Sequence, residues 1–459
     1  MKNASFLVVL FSSFLSFGQI TGTWHTSFVV AGTTNRMDLF IDGVGRDGTL
    51  KIGLPDVPDF EPKMMENTEI LKESLTFKWE TIGLKFEGKY YQKGDSIYGT
   101  MFQSNIDWKV TFRREEQTLK KLNRPQEPKA PFPYKIEELL IKNGENTIGA
   151  TLTIPEKTKN FPIVILASGS GAQNRDCELM GHKPFWIIAD YLTRNGIAVL
   201  RFDDRGIGKS TGIYQLASLD DFASDVEACY NYARKHYKKH KIGLAGHSEG
   251  GMHTLIAASK DKKVDFVIQL ASVGTNGRKV LVEQQYLIPL KAGETEEVAS
   301  FNRNVYDSVT RILMETPKED FINQLKDYVD RNFEKFPVEI REESSKEEFV
   351  SGFVSFFDNN WARQFMSFDA KEYLQKVQCP MLVINGSEDI QVPPQENQDG
   401  FKANFSVESA ANSKVVLFPG LNHLMQSCIV CNIMEYGELE ETFSPKVLLE
   451  IQNWIKSLN

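Results

Sequence analysis

Six apolar runs of strand length set the tightest limit on how this chain can fold. They are FPIVILAS, IAVLRF, KIGLAG, VDFVIQLAS, PMLVING and KVVLFPG, spread over residues 161–420. None alternates polar with apolar residues, so each must be covered on both faces, the condition met by a parallel sheet between two layers of helices. KPFWIIADYLTRNG and DFASDVEACYNYARKH lie between them with apolar residues at helical spacing. The pattern predicts a doubly wound, mostly parallel sheet over residues 135–459. From about 274 to 369 the rhythm breaks into helical periods with no strand between them, which predicts a helical cap inserted into the sheet order.

Upstream, residues 19–114 read differently. WHTSFVV, MDLFID, LTFKWE, LKFEGKYY and WKVTFR alternate with period two and are separated by Gly, Asn, Asp and Pro turns. This predicts a small all-β, barrel-like domain, closed or nearly so, whose core Trp24, Trp79 and Trp108 help to fill. Residues 115–134, charged and then proline-rich, read as an extended linker. Residues 1–18 have the layout of a secretory signal, with Lys2, an apolar run from Phe6 to about Phe17, and Ser16 and Gly18 before the cut. That run is too short to span a bilayer, so the expectation is an exported protein without stable membrane insertion.

The formal net charge is −8, from 53 basic and 61 acidic residues, which gives no basis for nucleic acid or an anionic membrane as partner. KHYKKHK (235–241), the densest basic run, follows an amphipathic stretch, where cations suit the carbonyl end of a helix. Five cysteines are too few for a disulfide-built fold. Cys428 and Cys431 form a single C-x-x-C, read as a local disulfide in an oxidising compartment or as two free thiols.

The chemistry centres on GLAGHSEGGM (243–252). A G-x-S-x-G alone arises by chance in roughly one chain of this length in six. Here it falls between a buried strand and a helix, as a strained strand–nucleophile–helix turn requires, which makes Ser248 a candidate nucleophile. A serine hydroxyl needs a base, and the base needs an orienting acid. Asp389, with Glu388 as its competitor, follows the strand PMLVING, and His423 follows KVVLFPG, in the order such a sheet demands. An oxyanion hole would draw one amide from Glu249 and one from the SGSGAQNRD loop, where Ser170 is the chosen donor and Gly171 the alternative. His247 is expected to point away from the base, and His253 to face helix packing. His236 and His240 have i, i+4 spacing without the glutamate of a zinc helix. The expectation is no metal and no cofactor.

SGSGAQNRD (168–176), DDRGIGKSTG (203–212), GHSEGG (246–251), NGSEDIQVPP (385–394) and GLNHLMQ (420–426) together resemble the α/β-hydrolase fold. More narrowly, they resemble its exported bacterial serine esterases with a helical cap. ITGTW and DWKVTFRR resemble the lipocalin-like modules found ahead of some of these enzymes. The resemblance implies that Ser248, Asp389 and His423 form a catalytic triad acting on a small-molecule ester. It also implies that the DDRGIGKSTG loop is structural, with Arg205 tying loops together. Serine at the elbow separates this chain from dehalogenases and epoxide hydrolases, which carry aspartate there, and from dienelactone hydrolases, which carry cysteine. A peptidase or amidase on the same fold is one alternative; a ligand-binding carrier with a degenerate hydrolase block is another.

Overall fold

The computed structural model describes residues 20–458 apart from 31–32, 56, 58–59, 66, 92–94, 104–105, 116–122, 339–340 and 342–344. The expected signal segment, residues 1–18, lies outside the described residues, as does part of the expected linker. The chain divides into two compact units, at Lys121 and Leu122.

The first unit is one antiparallel sheet: β1 (Gly22–Val30), β2 (Thr33–Asp42), β3 (Thr49–Gly53), β4 (Lys63–Met64), β5 (Asn67–Ile70), β6 (Ser74–Trp79), β7 (Leu84–Tyr91), β8 (Ser96–Gln103) and β9 (Ile106–Arg113). The strands run in the order β4-β3-β2-β1-β9-β8-β7-β6-β5, so β4 and β5 are its two ends and the ladder does not close between them. Alternate residues point inward, and Trp24, Leu39, Leu50, Phe77, Phe86 and Phe112 pack the interior at 1% exposure or less. Trp79 is buried with them, while Trp108 is only partly buried against this core. Phe86 stacks on Phe77 and meets Phe112 edge-on, with centroids 5.2 and 5.5 Å apart.

The second unit holds an eight-stranded sheet: β10 (Tyr134–Asn143), β11 (Asn146–Pro155), β12 (Ile163–Ala167), β13 (Ala198–Phe202), β14 (Ile242–His247), β15 (Phe266–Leu270), β16 (Met381–Gly386) and β17 (Lys414–Phe418). Their order is β10-β11-β13-β12-β14-β15-β16-β17. Only the β10–β11–β13 pairings are antiparallel; from β13 to β17 every pair is parallel. β12, β13, β15 and β16 are buried at every residue. KVVLFPG departs from the expectation of a doubly covered strand. As β17 it is the sheet edge, with one neighbouring strand and Leu417 exposed.

Helix α1 (Pro184–Arg194) starts with proline at its first turn, where the missing N–H costs nothing. Helix α2 (Leu219–His236) opens with a capping box between Ser218 and Asp221 and carries Arg234, Lys235 and His236 in its last turn, opposite the carbonyl dipole. Helix α3 (Glu249–Lys260) follows the elbow. Between β15 and β16 the described residues form no strand, and their helices are α4 (Gly277–Ala292), α5 (Glu296–Glu315), α6 (Phe321–Asn332), and then those at Lys346–Phe357, Asn360–Ser367 and Ala370–Leu374, with short single turns between them. The two ends of this insertion are zipped together, because Gly277 N donates to Phe368 O at 2.9 Å and Ala370 N to Thr275 O at 2.9 Å. Phe301, Phe333, Phe336, Phe349, Phe353 and Phe357 form its own aromatic core.

The expected linker is in part docked rather than free. Arg124 donates to Met180 O at 3.3 Å and Gly437 O at 2.7 Å, and Gln126 bonds the backbone of Thr442 and Phe443. No helix among the described residues is long and apolar enough to cross a membrane.

Candidate active site

Ser248 sits between β14 and α3 with φ 54° and ψ −122°, a conformation L-residues rarely adopt. Its neighbours hold it there: Ser248 N donates to Leu270 O at 2.8 Å, and Gly251 N to Ser248 O at 3.0 Å. The flanking glycines are steric requirements. A Cβ at Gly250 would overlap the carbonyl oxygens of Ala167 and Ser168 at the end of β12, and one at Gly246 would overlap Gly250 O. Opposite the serine, Gly169 lies so close that a Cβ there would come within 3.1 Å of Ser248 Cβ. This brings the SGSGAQNRD loop against the elbow.

His423 and Asp389 meet although 34 residues separate them. His423 Nδ1 lies 2.9 Å from Asp389 Oδ2 and 3.0 Å from Oδ1, and both side chains are buried. A carboxylate only accepts, so Nδ1–H donates. Asp389 Oδ1 also accepts from the amides of Gln391 at 2.9 Å and Val392 at 2.8 Å, which fixes the carboxylate. The competitor Glu388 turns away, with Oε2 3.9 Å from Lys291 Nζ. The acid and histidine loops are joined through Glu388 N to Leu421 O at 3.0 Å and Gly420 N to Ser387 Oγ at 2.8 Å.

His247 does not point away from the base, contrary to the reading of the sequence. Its Nε2 donates to His423 O at 3.0 Å, and the two rings are 4.8 Å apart. His247 is the last residue of β14, so its side chain lies at the strand end, where the loop carrying His423 passes. Burial and the neighbouring His423 push the His247 pKa down to about 3, so it is a neutral strut between the serine elbow and the His423 loop.

The two expected oxyanion donors, Ser170 and Glu249, are joined through their side chains: Ser170 Oγ donates to Glu249 Oε2 at 2.6 Å. Glu249 Oε1 accepts from Trp361 Nε1 at 2.8 Å, and His253 Nε2 lies 3.2 Å from the same oxygen. Burial works against this charge, but His253, Ser170 and Trp361 outweigh it and hold the carboxyl below its usual pKa. His253 thus faces Glu249 as well as the Phe222 ring, 5.3 Å away.

The DDRGIGKSTG loop is tied down, but Arg205 does not bind it to the other loops. Arg205 reaches α2, donating to Asp225 Oδ2 at 2.6 Å and Asp221 Oδ1 at 2.7 Å. The tie between loops is Arg175, which clamps Asp203 through Nε at 3.0 Å and Nη2 at 2.6 Å, and also reaches Glu138 at 2.7 Å. Asp204 accepts from Ser168 Oγ and Gln173 N, both at 2.9 Å. Burial, reinforced by the charges of Glu249 and Asp225, raises the Asp204 pKa to about 7.

Cys428 and Cys431 are disulfide-bonded, while Cys177, Cys229 and Cys379 are free. Glu435 lies beside the bridge, and its carboxylate accepts from the amides of Ile429, Val430 and Cys431 at 3.0, 2.9 and 2.8 Å. This bonds the carboxylate into the turn. His236 and His240 engage different carbonyls, those of Tyr232 and Phe161.

A parallel sheet with a strained serine elbow and a His–Asp pair at its strand ends defines a class, and the chain belongs to it: the sequence profile of the alpha/beta hydrolase fold matches residues 162–427. Among relatives, it is 25% identical to esterase EstD of Thermotoga maritima over 316 residues, 68% of this chain and 66% of that one. It is 23% identical to a bifunctional esterase/perhydrolase of Acinetobacter calcoaceticus over 239 residues, 51% of this chain and 78% of the relative. Among solved structures, Est1E of Butyrivibrio proteoclasticus with bound ferulic acid is 18% identical and has a TM-score of 0.42, covering 70% of this chain and 98% of that one.

Proposed function

We propose that this protein is a serine esterase that hydrolyses small carboxylic esters through an acyl-enzyme. The observation that carries this reading is the pairing of His423 with Asp389 at an elbow whose serine is held in a strained conformation. The relatives named as esterases support the ester over the amide. In the first step Ser248 Oγ attacks the ester carbonyl carbon and His423 Nε2 takes the hydroxyl proton. Asp389 orients the ring and stabilises the imidazolium. The developing oxyanion accepts from the backbone amides of Glu249 and Ser170, next to the positive end of α3. The C–O bond breaks, and His423 returns the proton to the departing alcohol. Water then repeats the sequence on the acyl-serine and releases the acid.

Export belongs to the same proposal, supported by the leader-like residues 1–18 and by a disulfide, which persists in oxidising compartments.

Fluorophosphonate labelling with peptide mapping tests the reading directly. The label should fall on Ser248, and Ser248→Ala should lose both label and turnover of a short-chain nitrophenyl ester. A folded wild-type protein that takes no label and turns over no ester would sink it.

A further inference from the structure

Glu249 is a buried carboxylate held by three side-chain donors, and the triad does not use it. Burying an ionised carboxylate is expensive unless its lone pairs are filled. Here they are filled from three separate elements. Ser170 belongs to the loop after β12, His253 to α3, and Trp361 to the Asn360–Ser367 helix of the insertion. All three groups donate onto two oxygens, a pattern that an acceptor-only group satisfies and a neutral amide does not. The position adds meaning to the pattern. Glu249 follows the nucleophile directly, and Ser170 follows Gly169, which packs against Ser248.

We infer that Glu249 is a positioning residue through which the helical insertion controls the oxyanion hole. This rests on the esterase reading above. The backbone amides of Ser170 and Glu249 have to point at one substrate oxygen, and the 2.6 Å bond between their side chains fixes their relative placement. Trp361 holds the other carboxylate oxygen and is packed between Phe356 and Phe365, with centroids 5.9 and 5.2 Å away. Moving that helix therefore removes one of the two donors on Oε1 and leaves the carboxylate freer to rotate away from Ser170. The insertion thereby reports its own seating to the donors, so oxyanion stabilisation is complete only when the insertion is in place.

Trp361→Phe deletes the one indole N–H and keeps the ring, and Ser170→Ala deletes the hydroxyl and keeps the backbone amide. Each should lower kcat and the rate of phosphonylation of Ser248 by roughly tenfold, with KM within about twofold, because one charge-assisted hydrogen bond is removed. In a Glu249→Gln background Trp361→Phe should have little further effect, since the connection is already cut. The inference is overturned if Trp361→Phe changes KM alone, or if its effect on kcat persists in full in the Glu249→Gln background. It is also overturned if Trp361→Phe and Ser170→Ala both keep wild-type kcat. Thermal unfolding of each variant separates a lost fold from a lost contact. Absence of label on wild-type Ser248 refutes the esterase reading itself; normal wild-type labelling with unaffected variants refutes only the role of Glu249.

Discussion

Strand β6 of the N-terminal sheet buries Leu75, Phe77 and Trp79 and turns Ser74, Thr76 and Lys78 outward. Strand β12 of the second sheet buries every residue from Ile163 to Ala167. The first sheet has polar positions along its whole length and an apolar interior; among the described residues, Thr26 is its one buried polar side chain. In the second unit, Ser168, Asp203, Asp204, Asn385, Asp389 and His423 are all buried and all lie at or just beyond the carboxyl ends of strands. Buried polar side chains also occur within the strands, as at Arg201 and Gln269, but these six lie at the strand ends, where loops supply groups to satisfy them. The contrast sets an apolar packing core in one unit against a cluster of buried polar side chains at the strand ends of the other.

The largest expected effect tests the chemical side. Asp389→Asn keeps the volume but presents an amide to His423, and it should lower kcat by roughly 10⁴-fold while leaving the unfolding of the first unit unchanged. Turnover within tenfold of wild type would mean that these buried polar groups serve the fold alone. Next, Phe86→Ala should destabilise the first unit by about 3–5 kcal/mol, read by denaturant titration of the full chain, because it empties the ring stack at the centre of that core. Turnover should stay within about twofold. A matching fall in kcat would join the two units in function and break the division.

The smallest effect concerns pH, and it should appear in the second unit alone. His182 is buried, donates Nε2–H to Tyr436 O at 2.8 Å, and has its pKa lowered to about 4, chiefly by burial and then by Arg124. A histidine depressed on folding contributes stability that is fully present above its unfolded pKa of about 6.5 and is lost as pH falls towards 4. Between pH 7 and pH 5 this amounts to about 2 kcal/mol. Asp204 runs in the opposite sense, since its raised pKa favours the fold at low pH. Comparing wild type with His182→Asn cancels that contribution. The stability gap between the two should narrow by about 2 kcal/mol at the lower pH, and a gap independent of pH would place the histidine's protonation outside the folding equilibrium.

Much of the architecture was legible along the chain. Unbroken apolar runs require two covered faces, and period-two alternation requires one. G-x-S-x-G between strand and helix requires small residues on both sides of Ser248, and Gly246 and Gly250 are indeed places where no side chain fits. Local periodicity and local sterics are properties of a few consecutive residues, so sequence suffices for them. Which residues meet across the fold was a different matter. Nothing in the spacing of His247 pointed it to the His423 carbonyl, and Arg175 rather than Arg205 proved to tie the loops.

KVVLFPG carried the same apolar signature as the central strands, yet it forms an edge, because strand order is set by crossovers and not by composition. Trp361 stands 112 residues from Glu249 in a helix that reads as ordinary amphipathic packing. The sequence by itself determined the two kinds of sheet, the helical insertion and the strand ends where polar residues collect. Only the tertiary structure decided the partners of His247, Arg175, Glu249 and Trp361, since a hydrogen bond between distant elements depends on where each is packed, and that position is a property of the whole fold.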